Sequence, residues 1–479
     1  MKKGSRGGLR HQAFKFEAMS REQFHFVGVC GTAMGSVAAG MIEKGYMVTG
    51  SDQSVYPPMS TFLEKKGVKI MEGYRAGNIP DETTTVVIGN AISRGNEEAE
   101  AILERRLRYM SLPEVLKEYF LRGRRNYVVS GTHGKTTTSS ILAWIFDSAG
   151  ENPGFMIGGI PANFGQGARF TDSDFMVMEG DEYDTAFFDK RSKFLHYLPE
   201  LVVMNNIEFD HADIYNNLEE IILTFSRLLK VVPRNGLALI NGDDKNCLIA
   251  ARDSPCPIRK VGFEKSCDLQ ITNVEYCRTG SCFVIDGEAY EVPMVGEFNV
   301  RNAAMAVCSA RFSGLKPEEI RRGLLSFEGI ARRQQERGEV NGITVVDDFA
   351  HHPTAIGLAI DGLRQKYPSR RLWVIFEPRS NTTRRNIFQD DLASALKKAD
   401  CVVIPSIPDL EKVPQNERLD PEKLVADISN AGADSWYLGE VEEIVEHVSS
   451  LAHGGDVIAI LSNGGFGGIH EKLLASLCD

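Results

Sequence analysis

Runs of three to six apolar residues that end in glycine, acid or amide, with helical spacing after them, recur along the chain. Phe24-His25-Phe26-Val27 leads into Gly28, and Tyr46-Met47-Val48-Thr49 ends at Asp52. Val68-Lys69-Ile70-Met71 and Thr85-Val86-Val87-Ile88 follow, then Tyr127-Val128-Val129, Phe175-Met176-Val177-Met178 and Leu201-Val202-Val203-Met204. Past Arg332-Arg333 the pattern resumes at Ile343-Thr344-Val345-Val346, Leu372 to Phe376, Cys401 to Ile404 and Val457 to Leu461. Short apolar runs alternating with helical stretches predict α/β units with open, mostly parallel sheets, whose strand C-termini carry the ligand sites. Residues 258–293 differ, with short β segments and turns at Arg278-Thr279-Gly280 and Asp286-Gly287.

At 479 residues the chain exceeds one core, and roughly 100 to 200 residues per domain gives about three. The charged segment Arg122-Gly123-Arg124-Arg125 and the pair Arg332-Arg333 mark the joints, so the expected domains are 22–124, 125–333 and 334–479. Residues 1–21 are basic, glycine-containing and without an apolar core, which excludes a secretory signal and predicts a disordered extension, with Met19 an alternative start.

A 43% hydrophobic and 25% charged composition is that of a soluble globular protein. The net charge of −11 argues against nucleic acid as partner and requires any anionic ligand to be met by local Lys, Arg and glycine amides. Nine scattered cysteines without a C-x-x-C pair fit a reducing compartment and no structural zinc site. No run of about 18 apolar residues predicts a membrane span, so the cytoplasm is the expected location.

The chemistry concentrates at Ser130-Gly131-Thr132-His133-Gly134-Lys135-Thr136-Thr137-Thr138, between the Tyr127 strand and the helical pattern Ile141 to Phe146. Gly131 and Gly134 let the backbone wrap a phosphate, Lys135 adds a cation, and the Thr136 hydroxyl suits Mg²⁺. Val129 stands where a full G-x-x-x-x-G-K-[ST] pattern has its first glycine. Two later runs end in acids: Glu179 before Gly180-Asp181-Glu182-Tyr183-Asp184, and Asn205-Asn206 before Ile207-Glu208-Phe209-Asp210-His211-Ala212-Asp213. An acid at a strand tip beside a phosphate loop holds Mg²⁺ as a Walker-B acid does, which selects Glu179, with His211 reaching a second ion.

The first domain opens with Gly28, Gly31 and Gly35, and Asp52 lies about 20 residues on, where a ribose hydroxyl is often bound. Their spacing is not G-x-G-x-x-G, so a nucleotide diphosphate is favoured over nicotinamide or flavin, and the polar turn at Asn90-Ala91 lines the same site. A helix is expected over Val37 to Glu43. Phe187 to Phe194, aromatic and cationic together, suits an anionic substrate, and Asn299 with Asn302, three residues apart on one helix face, suits a purine edge.

These motifs, in this order, resemble the Mur ligase family of ATP-dependent amide-forming enzymes of cell-wall synthesis. The resemblance runs from about Phe24 to the C-terminus and includes Asp347-Asp348-Phe349-Ala350-His351-His352-Pro353. It implies a Rossmann-like UDP-binding domain, a central P-loop ATPase domain and a C-terminal Rossmann-like domain, with ATP and a pair of Mg²⁺ ions as the expected cofactors. Gly28, Cys30, Gly31, Thr32, Met34, Asp52, Asn90 and Ala91 are then expected at the UDP-sugar. Gly131, Thr132, His133, Gly134, Lys135, Thr136, Thr137, Asn299, Asn302, Arg333 and Asp348 are expected at ATP, and Thr136, Glu179 and His211 at metal. Lys135, Glu179, His211, Arg333 and His352 are the expected catalytic set.

In Val55 to Thr61, Phe187 to Phe194, and Glu377 to Thr382 with Ser462 to Gly468 the chain resembles members that join a whole tripeptide, L-Ala-γ-D-Glu-meso-diaminopimelate, to UDP-N-acetylmuramate. Arg191, Arg379, Ser380, Asn381 and Asn463 are then the expected peptide contacts. The competing expectation is the member that adds free L-alanine to the same sugar nucleotide. A nucleotide-gated sensor and a dinucleotide oxidoreductase explain fewer of the motifs. Phe298 replaces a histidine common in the family, and Ser226 stands where several members carry a carbamylated lysine. The enzyme is expected to be a monomer or weak homo-oligomer, with no nucleic-acid or membrane partner.

Overall fold

The computed structural model describes residues 22–478, so the N-terminal extension expected over 1–21 lies outside the described residues. The chain divides into two compact units, one of residues up to Val115 together with Ala186–Asp189, the other of Leu116–Thr185 and Lys190 onward.

The first unit is a five-stranded parallel sheet of β1 (Gln23–Val27), β2 (Met47–Asp52), β3 (Lys69–Glu72), β4 (Thr85–Ile88) and β5 (Tyr109–Ser111), in the order β3-β2-β1-β4-β5. Every residue of β1 and β4 is buried, as strands covered on both faces require. Helix α1 (Thr32–Glu43) begins directly after the glycine turn, five residues before the expected Val37, because Thr32 and Ala33 continue the helix from Gly31. The Ala186–Asp189 turn places Phe187 and Phe188 against this unit's core, with Phe188 edge-on to Tyr109 at 4.9 Å.

In the second unit a ten-stranded sheet is built around β6 (Arg125–Ser130), β7 (Phe175–Glu179), β8 (Pro199–Met204) and β9 (Leu237–Asn241), with β6 hydrogen-bonded in parallel to both β7 and β8. Helix α2 (Lys135–Ser148) covers it, packing Ile141, Leu142, Ile145 and Phe146 with Tyr127 and Val129 of β6. Val300, Ala303, Ala304 and Val307 of α3 (Glu297–Ser313) belong to the same core. The 258–293 segment adds the expected β strands, turning at Arg278-Thr279 and Asp286-Gly287.

A six-stranded sheet completes the unit: β10 (Gln335–Val340), β11 (Ile343–Asp348), β12 (Leu372–Phe376), β13 (Cys401–Pro405), β14 (Asp434–Leu438) and β15 (Val457–Leu461), ordered β10-β11-β15-β12-β13-β14. Only the β10–β11 pair is antiparallel. The C-terminal ends of β11, β12 and β15 therefore lie side by side, and α4 (Pro353–Lys366) starts just beyond β11.

Candidate active site

In the second unit the phosphate loop leaves β6 and enters α2 through Gly134, at φ +78°, the left-handed region. A Cβ on Gly134 would sit 2.4 Å from Asn302 Oδ1 and 2.9 Å from Asn205 Nδ2, and one on Gly131 (φ +128°) only 3.0 Å from the Asn206 nitrogen. Both positions therefore require glycine. No side chain caps α2, so its first N–H groups are available to an anion. The loop is stitched to the end of the neighbouring strand β8: Thr132 N donates to Asn206 O at 3.0 Å, His133 N to Asn206 Oδ1 at 2.7 Å, and Asn205 N to Ser130 O at 3.0 Å.

Lys135 Nζ donates to Gly131 O at 2.6 Å and lies 2.9 Å from Glu182 Oε2. Burial disfavours its cation, but Glu182 and Glu179 outweigh burial and hold its pKa above the ordinary lysine value. Glu182 also accepts from His211 Nε2 at 3.0 Å, joining the loop lysine to the histidine. Burial opposes the His211 cation too, and Glu182 again prevails and raises its pKa. Glu179, at the tip of β7, accepts the Thr136 hydroxyl at 3.0 Å and the Gly158 N–H at 2.7 Å, while Arg333 Nη2 approaches Thr136 Oγ1 at 3.4 Å. Thr136, Glu179 and Arg333 thus gather at one point, whereas the carboxylate partner of His211 is Glu182. The Thr136 hydroxyl and Glu179 carboxylate are hard oxygen donors of the kind Mg²⁺ takes, so this corner fits that ion.

Asn299 and Asn302 are buried on α3. Asn299 Nδ2 donates to Val295 O at 2.9 Å and Asn302 Oδ1 accepts from Thr138 at 3.3 Å, while Asn299 Oδ1 and Asn302 Nδ2 have no protein partner. One acceptor and one donor on α3 thus stay unpaired inside the protein. A cavity of about 610 Å³ opens nearby, with Val295, Ile330, Arg333, Gln334, Arg278 and Lys366 in its wall.

The C-terminal lobe meets the central one around the Asp210-His211-Ala212-Asp213 segment. Thr382 Oγ1 donates to Asp210 Oδ1 at 3.0 Å and Asn381 Nδ2 to Asp213 Oδ2 at 3.1 Å. His352 caps α4, its Nε2 is 3.2 Å from Phe209 O, and its ring lies 4.6 Å from that of His133. Burial and the neighbouring His133 push its pKa down to about 4, so it is neutral at physiological pH. Asp348 accepts from Gln334 N at 2.8 Å and Ala350 N at 2.7 Å.

Arg379, past the end of β12, fills the space where a Cβ on Gly464 would stand. Ser380 bonds Thr383 at 2.7 Å, and Asn463 Oδ1 is buried without a protein partner. Arg379, Ser380, Asn381 and Asn463 therefore belong to two facing loops, while Arg191 is exposed on the separate strand Asp189–Ser192. Sequence reasoning left out Glu182, Glu208, Asn205 and Asn206. Their positions past strands flanking β6 were the available signal, since neighbours of a phosphate-loop strand deliver their termini to the loop.

In the first unit, considered by itself, the turn after β1 has Gly28 at φ +86°, with Gly28 N and Val29 N both donating to Ser51 O. Asp52 accepts Cys30 N at 2.8 Å and Ser54 N at 3.0 Å. Met34 is buried, whereas Gly31, Thr32, Asn90 and Ala91 are exposed around these strand ends. Behind them Glu98 is buried, taking hydrogen bonds from Ser51, Asn78 Nδ2 at 2.7 Å and Arg75 N at 3.2 Å.

Three family models match the chain in order: the Mur ligase family catalytic domain at 23–124, the Mur ligase middle domain at 129–310 and the Mur ligase glutamate ligase domain at 332–464. The UDP-N-acetylmuramate–L-alanyl-γ-D-glutamyl-meso-2,6-diaminoheptandioate ligase of Escherichia coli is 42% identical over 95% of this chain and 98% of its own. A UDP-N-acetylmuramate–L-alanine ligase of Clostridium botulinum is 30% identical over 82% of this chain and 85% of its own. The crystal structure of a murein peptide ligase from Psychrobacter arcticus superposes with a TM-score of 0.69 at 36% identity, covering 96% of this chain and 99% of that one. Likeness sustained along all three matched segments, at this identity, has one reading: the chain belongs to the Mur ligase family.

Proposed function

We propose that the chain joins the lactyl carboxylate of UDP-N-acetylmuramate to the alanine amine of L-Ala-γ-D-Glu-meso-diaminopimelate at the expense of ATP. The observation that carries this reading is near full-length identity of 42% to a ligase of that name, against 30% to an L-alanine ligase. Recycling of murein tripeptide in the cytoplasm is the corresponding role.

The reaction requires a carboxylate to attack the γ-phosphate of ATP, ADP to leave, and the peptide amine to displace phosphate from the acyl phosphate. Phosphoryl transfer needs alignment and charge neutralisation more than covalent help. Lys135 and the free N–H groups of α2 hold the phosphate chain, and Arg333, beside Thr136, adds positive charge as the γ-phosphoryl moves. Thr136 and Glu179 would hold Mg²⁺, which shields the repulsion between the carboxylate and the phosphates, and a second ion is assigned near His211. The unpaired Asn299 Oδ1 and Asn302 Nδ2 read the purine edge, and Asp348 takes the ribose. Gly28, Cys30, Gly31, Thr32, Met34, Asp52, Asn90 and Ala91 are assigned to the UDP-sugar. Neutral His352 is assigned a place beside the reacting carboxylate, where it adds no charge of its own.

Arg379, Ser380, Asn381 and Asn463 are assigned to the peptide, with the Arg379 guanidinium forked on one of its carboxylates, and Arg191 as a further contact. The deciding measurement is phosphate release from ATP with UDP-N-acetylmuramate plus either L-alanine or the tripeptide. Turnover with the tripeptide and none with L-alanine is expected; the reverse would overturn the assignment. Arg379→Ala should raise the tripeptide KM at least about tenfold while leaving the ATP KM unchanged.

A further inference from the structure

Among the described residues, one cluster brings three candidate metal-ligating atoms within 4.8 Å of one another: His133, Glu208 and His352. None of them belongs to the Thr136–Glu179 corner. They come from three separate places: the phosphate loop, the segment after β8, and the cap of α4 in the C-terminal lobe. His133 Nε2 is 3.2 Å from Glu208 Oε2, and His352 Nδ1 is 3.4 Å from the same oxygen. Bonds of roughly 2.0 to 2.2 Å around a tetrahedral ion give ligand–ligand edges of roughly 3.4 Å, so two edges already have the size a zinc-class ion requires.

The tautomer of His352 also fits. Phe209 O, 3.2 Å from Nε2, takes the proton of that nitrogen, which leaves the Nδ1 lone pair facing Glu208. An outer hydrogen bond from one ring nitrogen to a carbonyl, with the other nitrogen free, is the usual arrangement of a metal-bound histidine. Nδ1 also accepts the Thr354 N–H at 3.3 Å, the cap of α4, a long hydrogen bond that a metal bond at this nitrogen would replace. With its proton committed to Phe209, the imidazole meets the carboxylate acceptor to acceptor, and a cation between them removes that conflict.

We infer that His133, Glu208 and His352 form a binding site for one first-row transition ion, Zn²⁺ in character, distinct from the oxygen-lined Mg²⁺ corner. Two imidazoles select against Mg²⁺, and three protein ligands leave a fourth position for water or a substrate oxygen. Because His133 lies in the phosphate loop and His352 in the C-terminal lobe, the ion fastens these parts together.

The test is titration of metal-stripped, full-length protein with Co²⁺ in excess Mg²⁺, followed by its visible absorption. One equivalent with an intense band of a four-coordinate site is expected, and Zn²⁺ should bleach it. His133→Gln, Glu208→Gln and His352→Gln should each weaken binding by at least about tenfold, while His453→Gln should not. In thermal melts Zn²⁺ should raise the Tm of the wild type clearly more than that of any of the three variants. Glu208→Gln keeps the side-chain shape, so it separates loss of a ligand from loss of the fold. Absence of the band, or a band that survives all three substitutions, would overturn the proposal.

Discussion

Two turns in this molecule share one framework and differ in charge. After β1 and again after β6, a buried strand passes through glycines into a helix that no side chain caps. At the second turn, Lys135 lies in the loop, with Glu182 and Glu179 close enough to hold its charge inside the protein. At the first, residues 24–35 include neither lysine nor arginine, and the Cys30 N–H is already taken by Asp52. A strand–glycine–helix turn is thus a general anion seat, and the side chains around it decide how much negative charge it accommodates. The lysine-bearing turn suits a triphosphate whose charge rises during reaction, and the other suits a diphosphate that is only held.

The contrast is broken most sharply at Lys135. Lys135→Ala should lower the rate of phosphate release on the order of 10³-fold, the scale of losing a transition-state charge contact, with little change in UDP-N-acetylmuramate binding measured by calorimetry. Retained turnover would make the two turns equivalent. Next in size is Glu182→Gln, which leaves Lys135 and His211 without their shared counter-charge. Breaking such a buried pair costs about 3 kcal/mol, so differential scanning calorimetry should show a Tm lower by roughly 5 to 10 °C.

Asn302→Ala removes one group assigned to the purine and should raise the ATP KM about tenfold, with kcat held within about twofold. Asp52→Asn, at the turn without a lysine, should raise the UDP-N-acetylmuramate KM by only about threefold and leave the ATP KM alone.

The smallest effect concerns pH. Burial raises the Glu98 pKa, but hydrogen bonds from His25, Ser51 and Asn78 outweigh it, and the net value lies below the ordinary 4.5. A carboxyl depressed in the folded state stabilises it fully above pH 4.5, and that contribution fades as pH falls through the folded value. The transition containing the first unit should therefore move down below about pH 4.5, and Glu98→Gln should flatten that dependence.

What the sequence disclosed divides along the same physical line. Strands buried on both faces, such as Thr85–Ile88 and Val457–Leu461, announce themselves as unbroken apolar runs. Edge strands do not: Gln335–Val340 reads Gln-Glu-Arg-Gly-Glu-Val, is largely solvent-facing and is held by backbone pairing to β11 that composition does not reveal. Site residues behave alike. The phosphate loop is legible because its glycines, lysine and threonine are contiguous. Glu182 and Glu208 sit in acid-rich segments where neighbours such as Asp181 and Asp210 compete for the same role, and only the fold selects among them.

The Arg379–Gly464 contact makes two loops distant in sequence answerable to each other. The guanidinium occupies volume that any methyl at position 464 would claim, so alanine there should displace the arm assigned to the peptide without touching a single substrate-facing group. Exchanging one of these loops between related ligases without the other would accordingly transplant an arginine with nowhere to rest.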